Sequence, residues 1–430
     1  MESIWKSTCD LPRFPRLTEN IRTDVLVIGG GMAGLLCTRF LKDAGVSVVL
    51  AEADTLCSGT TGNTTAKLTL QHGLIYRKLL SRFGQERAKQ YLQANADALS
   101  RYESMCRDID CDYRELSSFV YAKNDPKKLD AELEALQILG YPAVWVSDLP
   151  LPLTTVGGIR MDHQAQFHPL KFAAAIAKGL PIYEHTAVRD LVGTTAVTDG
   201  GRIFAQKIIV CTHFPFLNKH GSYFLKLYQH RSYVLALKGA GDVGGMYIDA
   251  DGDGLSFRNY GEYLLLGGGS HRTGQKGGGW QELRDFARSA YPASSEVYHW
   301  AAQDCMTLDG IPYIGPYSAG TENLYVATGF QKWGMTSSMA AASLLCDLVL
   351  ERGNPYAEVF SPSRSMLRPQ LAVNAFHAAA GYLTPTTKRC PHLGCALKWN
   401  PQEHSWDCSC HGSRFSSEGE LLDGPATGDL

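Results

Sequence analysis

The chain has 430 residues, 44% of them hydrophobic, with 43 glycines and a formal net charge of −2. That length exceeds a single hydrophobic core and predicts two or three domains of α/β type. The near-neutral charge gives no reason to expect nucleic acid or an acidic membrane surface as partner, and no apolar run approaches the ~18 residues of a membrane span.

The opening MESIWKSTCDLPRFP has no apolar stretch flanked by basic residues, so it does not read as a signal peptide. Eight of the twelve cysteines (Cys9, Cys37, Cys57, Cys106, Cys111, Cys211, Cys305 and Cys346) are scattered, mostly in apolar segments. Reduced, buried thiols in a cytoplasmic protein are the expectation.

Residues 23–28, TDVLVI, read as a buried strand. Gly29-Gly30-Gly31-Met32-Ala33-Gly34 follows, then a helical stretch over 35–44 and a second strand over 46–50 that ends near Glu52. Strand, glycine turn, helix and an acid about 20 residues on make a dinucleotide fingerprint. Gly29 permits the turn, Gly31 lets backbone approach a pyrophosphate, Gly34 lets the helix pack, and Glu52 accepts from ribose hydroxyls. The fingerprint alone leaves flavin and nicotinamide both open.

The next loop, Ser58-Gly59-Thr60-Thr61-Gly62-Asn63-Thr64-Thr65-Ala66-Lys67, is small and hydroxyl-rich. It suits phosphate oxygens and a flavin edge, which makes Thr60, Thr61, Thr65, Ala66 and Lys67 candidate cofactor contacts. A charged, helix-like insertion begins near Gly84, and strands at 186–188 and 207–212 return to the first domain, bringing Val188 and Thr212. Residues 216–299 are strand-rich. Near the end of this part, TLDGIPYIG at 307–315 and LYVATGFQKWG at 324–334 predict a strand, a glycine turn and a helix start. Gly310, Gly329, Gly334 and Met335 would set backbone N–H groups and a helix N-terminus against the flavin pyrimidine.

By these motifs the first 350 or so residues resemble the D-amino-acid oxidase, glycine oxidase and sarcosine oxidase family. The resemblance implies a Rossmann-type FAD-binding domain (20–80, 155–215 and 300–352) with an inserted α+β substrate domain (81–154 and 216–299). It further implies a substrate amine held over the flavin ring. Candidate pocket residues are Lys67, Gln71, His72, Arg231, Tyr233, Arg258, His271, Lys332 and Trp333; Lys67, His72 and Trp333 are the catalytic candidates, and Arg231 or Arg258 could anchor a carboxylate. Three other signals are set aside. Gly239-Ala240-Gly241-Asp242-Val243-Gly244 lacks a following helix. Asp249-Ala250-Asp251-Gly252-Asp253-Gly254 opens like an EF-hand loop but reaches Tyr260 at its twelfth position. Cys305 is offset from the family's covalent flavin attachment, so FAD is expected to be non-covalent.

After a linker (353–384) come two boxes, Cys390-Pro391-His392 and Cys408-Ser409-Cys410-His411, separated by residues 393–407. Two thiolates and two imidazoles in this order are what a Rieske 2Fe–2S centre needs. Cys-x-His is too short a first pair for the usual zinc spacing, the alternative use of such residues. The segment resembles the cytochrome-complex type of Rieske protein, with Ser413 and Gly424-Pro425-Ala426 in their places. That resemblance implies a Cys395–Cys410 disulfide and a small all-β module (385–430); complete Rieske domains carry several more strands before the first box, so this one is abbreviated and is expected to lean on the flavoprotein. It departs at Phe415, where a Tyr is common, so a hydrogen bond toward the cluster is missing and a lower potential is expected.

A flavin takes two electrons as hydride and a cluster carries one, so the fusion predicts a dehydrogenase of a small amine or amino acid. Its electrons would leave singly to an external one-electron acceptor. Three alternatives stay open: an NAD(P)H- or partner-fed reductase, a non-catalytic redox sensor, and a Rieske oxygenase, which would need a mononuclear iron site.

Overall fold

In the computed structural model, which describes every residue except Met1, Asn218, Lys219 and Asp253, the glycine-loop strand sits at the heart of a six-stranded sheet. Its order is Tyr313–Pro316, Leu324–Thr328, Lys207–Val210, Val25–Ile28, Val48–Ala51 and Ile182–Tyr183. All neighbours are parallel except the first pair. Val25–Ile28 and Val48–Ala51 are buried at every position, as strands covered on both faces require. Helices Met32–Asp43 and Gly334–Val349 pack on one another above this sheet, so the two expected helix starts meet over the same strand ends.

The larger sheet has nine strands, led by Ser295–Thr307, Leu227–Lys238 and Tyr263–Arg272. Gly157–Gln166 also belongs to it, and Ser295–Thr307 runs through residue 300 from one expected segment into the next. Val188–Val192 goes instead to a separate four-stranded sheet. The first insertion is helical over Tyr76–Cys106 and Pro126–Ile138, with strand Arg114–Ala122 between them. Gly239 to Gly244 form the turn after a strand and lead into strand Met246–Asp249, not a helix. The acidic loop is the next turn of the same sheet, in which Asp249 accepts from the Asp251 N–H (2.9 Å); its Asp253 lies outside the described residues.

The connector carries helices Ala357–Phe360 and Pro369–Leu383. Beyond it, Leu397–Asn400, Ser405–Cys408, Arg414–Phe415 and Leu421–Asp423 form a four-stranded antiparallel sheet. Its own apolar core is seven side chains, Cys390, Cys395, Leu397, Cys408, Cys410, Phe415 and Ala426. Among the described residues no helix is long and apolar enough to cross a membrane.

Candidate functional site

A cavity of about 1180 Å³ opens at the carboxyl ends of the parallel strands and runs under the large sheet. Gly29 (φ +107°) makes the turn, and a Cβ there would stand 2.6 Å from the Cys211 carbonyl oxygen. Gly34 lies beneath it rather than in the wall. A Cβ on Gly34 would come within 1.9 Å of the Gly29 oxygen, so the glycine lets helix and turn touch. Gly31 lines the cavity, as do Thr60, Thr61, Thr65, Val188, Thr212, Gly310, Gly329, Gly334 and Met335. Glu52 also lines it; its carboxylate accepts from Gly30 N (2.5 Å) and Asp54 N (2.9 Å), and burial raises its pKa. Ala66 stands behind the wall, fully buried at φ +54°. A glycine cradle that side chains would fill, with a carboxylate at its rim, fits a dinucleotide.

The hydroxyl-rich loop is braced by the N-terminal segment. The Ser3 hydroxyl donates to the Gly62 carbonyl, Trp5 Nε1 to Thr64 O (2.6 Å) and Lys6 Nζ to Ser58 O (2.7 Å). Across the cavity, Thr60 Oγ1 donates to Gln303 O (3.1 Å).

Of the catalytic candidates, Lys67 is half-buried in the cavity wall, its Nζ donating to Thr65 Oγ1 (3.1 Å). Burial, with the Arg258 charge nearby, draws its ammonium down to about 7. His72 lines the wall, but its Nδ1 meets Tyr91 Oη (2.7 Å) and its Nε2 meets Thr336 Oγ1 (3.0 Å). With both nitrogens engaged and burial lowering its pKa to about 3, it serves as a neutral platform for Trp333, stacked at 4.9 Å. Lys332 lines the cavity and donates to Gly252 O (3.1 Å) and Ser270 Oγ (3.2 Å). Gln71 is turned away, donating to Ile159 O. Arg258 is fully buried, bonded to the Ala66 carbonyl (2.8 Å) and set over the Trp5 ring, so it does not reach the cavity as a carboxylate anchor. Cys305 lies outside the lining, against Thr328 Oγ1 (3.8 Å), and burial pushes its thiol up to about 12.

The two cysteine–histidine boxes form facing turns. Gly394 N donates to Cys390 O and Gly412 N to Cys408 O, each at 2.9 Å, and Cys395 is disulfide-bonded to Cys410. The disulfide sulfurs lie within 4.8 Å of Cys408 Sγ. Cys390 and Cys408 hydrogen-bond to each other, which draws the Cys390 thiol down to about 7 and pushes Cys408 up. The His392 and His411 rings stand 4.9 Å apart at right angles. His411 is buried, its Nδ1 has no partner, and its ring stands edge-on to Phe224 with centroids 6.3 Å apart. A buried imidazole nitrogen with no hydrogen-bond partner is able to take a metal. Ser413 Oγ accepts from Ala426 N (3.0 Å) and pins the Gly-Pro-Ala loop beside it. Two thiols and two imidazoles converging in this way fit a 2Fe–2S cluster.

This module docks on the large sheet, where alternation along Leu227–Lys238 sends side chains two ways. Tyr228, His230 and Ser232 line the cavity, while Gln229 and Arg231 face the module. Arg231 is an anchor for the module, not for substrate: its guanidinium pairs with Glu403, Nε to Oε1 at 3.0 Å. Tyr233 Oη donates to the same carboxylate (2.9 Å), as does Arg414 (2.8 Å). Burial alone would raise the pKa of Glu403, but the Arg231 and Arg414 charges outweigh it and hold the carboxyl at about 2. Tyr233 also borders the cavity, and His271, outside the lining, stacks on its ring at 5.6 Å. Gln229 Nε2 donates to His411 O (3.1 Å) and Gly424 O (3.0 Å), and Gln303 Nε2 to Gly412 O (2.9 Å). Leu421 to Asp429 reach round to line the cavity, and Phe214, also in its wall, stands 6.2 Å from the His411 ring and 6.4 Å from His392.

Sequence reasoning missed Gln229, Gln303, His213 and His230. No motif marks them, and only the alternation of one strand could have suggested the first. The Nδ1 of His230 is buried without a partner, and burial first, then Lys332, lowers its pKa to about 3.

Comparison with known proteins agrees with this geometry. The family described as FAD dependent oxidoreductase matches residues 24–348, and the Rieske [2Fe-2S] domain matches residues 364–430, which takes in the helix Pro369–Leu383. The Rieske 2Fe-2S iron-sulfur protein YhfW of Bacillus subtilis (strain 168) is 37% identical over 99% of this chain and 96% of its own. Gamma-glutamylputrescine oxidoreductase of Escherichia coli (strain K12) is 28% identical over 46% of this chain and 50% of its own. The fold is similar to glycine oxidase from Geobacillus kaustophilus, with a TM-score of 0.68 at 21% identity over 80% of this chain and 99% of that one.

Proposed function

The chain belongs to the FAD dependent oxidoreductase family and carries a C-terminal Rieske [2Fe-2S] domain, and from that premise we propose a dehydrogenase of small amines or amino acids whose electrons leave singly through the cluster. The observation that carries this reading is the shared wall: Phe214 borders the cavity and stands one ring away from both histidines of the cluster site. Bound FAD supplies a two-electron hydride acceptor and the cluster a one-electron carrier.

The chain's own residues prepare the substrate. Amine oxidation needs a neutral nitrogen, and a lysine held near 7 and facing the cavity can take the ammonium proton. Trp333, backed by His72, offers a flat apolar surface to hold the amine in one orientation. The relatives include one named for an amine derivative, gamma-glutamylputrescine, which supports amines as the substrate class. The acceptor is an external one-electron carrier that meets the module from outside.

The test is anaerobic mixing of holoprotein with N-methylated amines, polyamines and amino acids. Flavin bleaching is followed optically and the reduced cluster by its EPR signal. Bleaching followed by growth of the cluster signal supports the reading. Reduction of both centres by dithionite, but by no amine, overturns it in favour of a partner-fed reductase or a sensor, and rapid bleaching by NADH identifies the reductase.

A further inference from the structure

One buried side chain joins a cavity-lining histidine to the cluster module. Gln229 is buried, and its amide nitrogen spends both hydrogens on the module, one on His411 O (3.1 Å) and one on Gly424 O (3.0 Å). Its Oε1 therefore has only an acceptor role left, and it meets His213 Nε2 at 3.0 Å. This fixes His213 as the Nε2–H tautomer, because the amide cannot donate a third time. His213 lines the cavity, its φ of +63° held by a hydrogen bond from Thr328 Oγ1 to its carbonyl. A continuous path of two hydrogen bonds thus runs from the cavity wall through His213 and Gln229 to the backbone of a cluster ligand. Room for it is made by Gly412 (φ +88°), where a Cβ would stand 2.5 Å from Gln229 Cβ.

Gln303 makes a useful contrast. It also binds the same turn, donating to Gly412 O (2.9 Å), but its Oε1 is occupied by Thr273 Oγ1 (2.9 Å). It holds the module without continuing to His213.

We propose that Gln229 is the positioning residue that couples the flavin cavity to the cluster, by tying His213 at one end to His411 and the Gly424 carbonyl at the other. The inference rests on the reading that electrons pass between the two sites, in either direction. In that transfer one electron leaves reduced flavin and one ferric iron of the cluster becomes ferrous, with no bond made or broken by Gln229.

The test uses purified anaerobic holoprotein with FAD reduced photochemically, so it does not depend on knowing the amine. Rapid-freeze EPR reads the arrival of the electron at the cluster, and the EPR g-values and iron content read the cluster itself. Gln229→Leu is expected to slow arrival tenfold or more and to shift the g-values, since the carbonyl beside His411 loses its donor. His213→Leu breaks only the cavity end, and is expected to slow arrival similarly with unchanged g-values and full iron. Gln303→Leu removes a docking bond to the same turn and leaves the path intact, and is expected to slow arrival several-fold less than His213→Leu. Unchanged arrival in His213→Leu with the cluster loaded overturns the proposal, even if Gln229→Leu fails to hold iron. Equal slowing in Gln303→Leu also overturns it, by assigning the effect to looser docking. Failure of every amine to reduce the flavin would sink the dehydrogenase reading and leave this measurement untouched.

Discussion

The two cofactor regions are built on opposite principles. The dinucleotide end rests on extensive apolar cores, among them the fully buried strands Val25–Ile28 and Val48–Ala51. The cluster end has seven core side chains, four of them cysteines, two in a disulfide and two in the cysteine–histidine boxes. Too little apolar area remains to stabilise so small a unit, and its shape is completed by polar bonds to its neighbour through Glu403, Gln402, His411 and Gly412. A site with its own core tolerates damage next door; a site that borrows its support does not.

The largest expected effects break that comparison directly. Gly34→Ala forces a Cβ to within 1.9 Å of the Gly29 oxygen, and should give protein without FAD, measured by absorbance of the released cofactor. Cys408→Ser should remove the 2Fe–2S EPR signal completely while FAD stays bound. A substitution on the sheet side then tests the borrowing. Arg231→Leu leaves Glu403 buried with one partner fewer and should loosen docking by about 3 kcal/mol. Iron and acid-labile sulfide should fall although no ligand has changed; full iron content in this variant would make the module self-sufficient.

Smaller effects sharpen the contrast. Lys67 must be neutral to accept a proton, so below about 7 the rate of flavin reduction by amine should fall about tenfold per pH unit. Stopped-flow profiles should show that limb in the native protein and lose it in Lys67→Met. Acid stability depends on the module side. Glu403 is depressed relative to its ordinary carboxyl value, so its contribution is complete above about 4.5 and is lost as pH falls toward 2. Cluster release on acidification should therefore begin at higher pH in Arg231→Leu. The smallest change is Phe415→Tyr, which restores a hydroxyl near the cluster in a fully buried position and should raise the midpoint potential, read by redox titration.

Local features were legible in the sequence because their chemistry is local. The glycine turn needs residues 29 to 34 and little else, and each cysteine–histidine box is one tight turn. The docking contacts could not be read, because Arg231 and Glu403 or Gln229 and His411 lie more than 170 residues apart and each type has ordinary surface uses. Arg231 and Arg258 looked like carboxylate anchors for the same reason: an arginine on a pocket strand points either way, and which side it faces depends on strand register. The helix Pro369–Leu383, read as part of a linker, touches the module closely enough that a Cβ on Gly381 would lie 2.7 Å from Cys410 Sγ. Its sequence, rich in alanine and lacking a charged pattern, gave no sign of that.

The stretch Leu421 to Asp429, which closes one side of the flavin cavity, bears on how the protein is assembled. A ribosome delivers the glycine cradle hundreds of residues before it delivers this wall. While the chain is growing the cavity is therefore a trough open on the side where the module will sit, and FAD can settle into it from that side. With the module seated, residues 421–429 form that side of the wall.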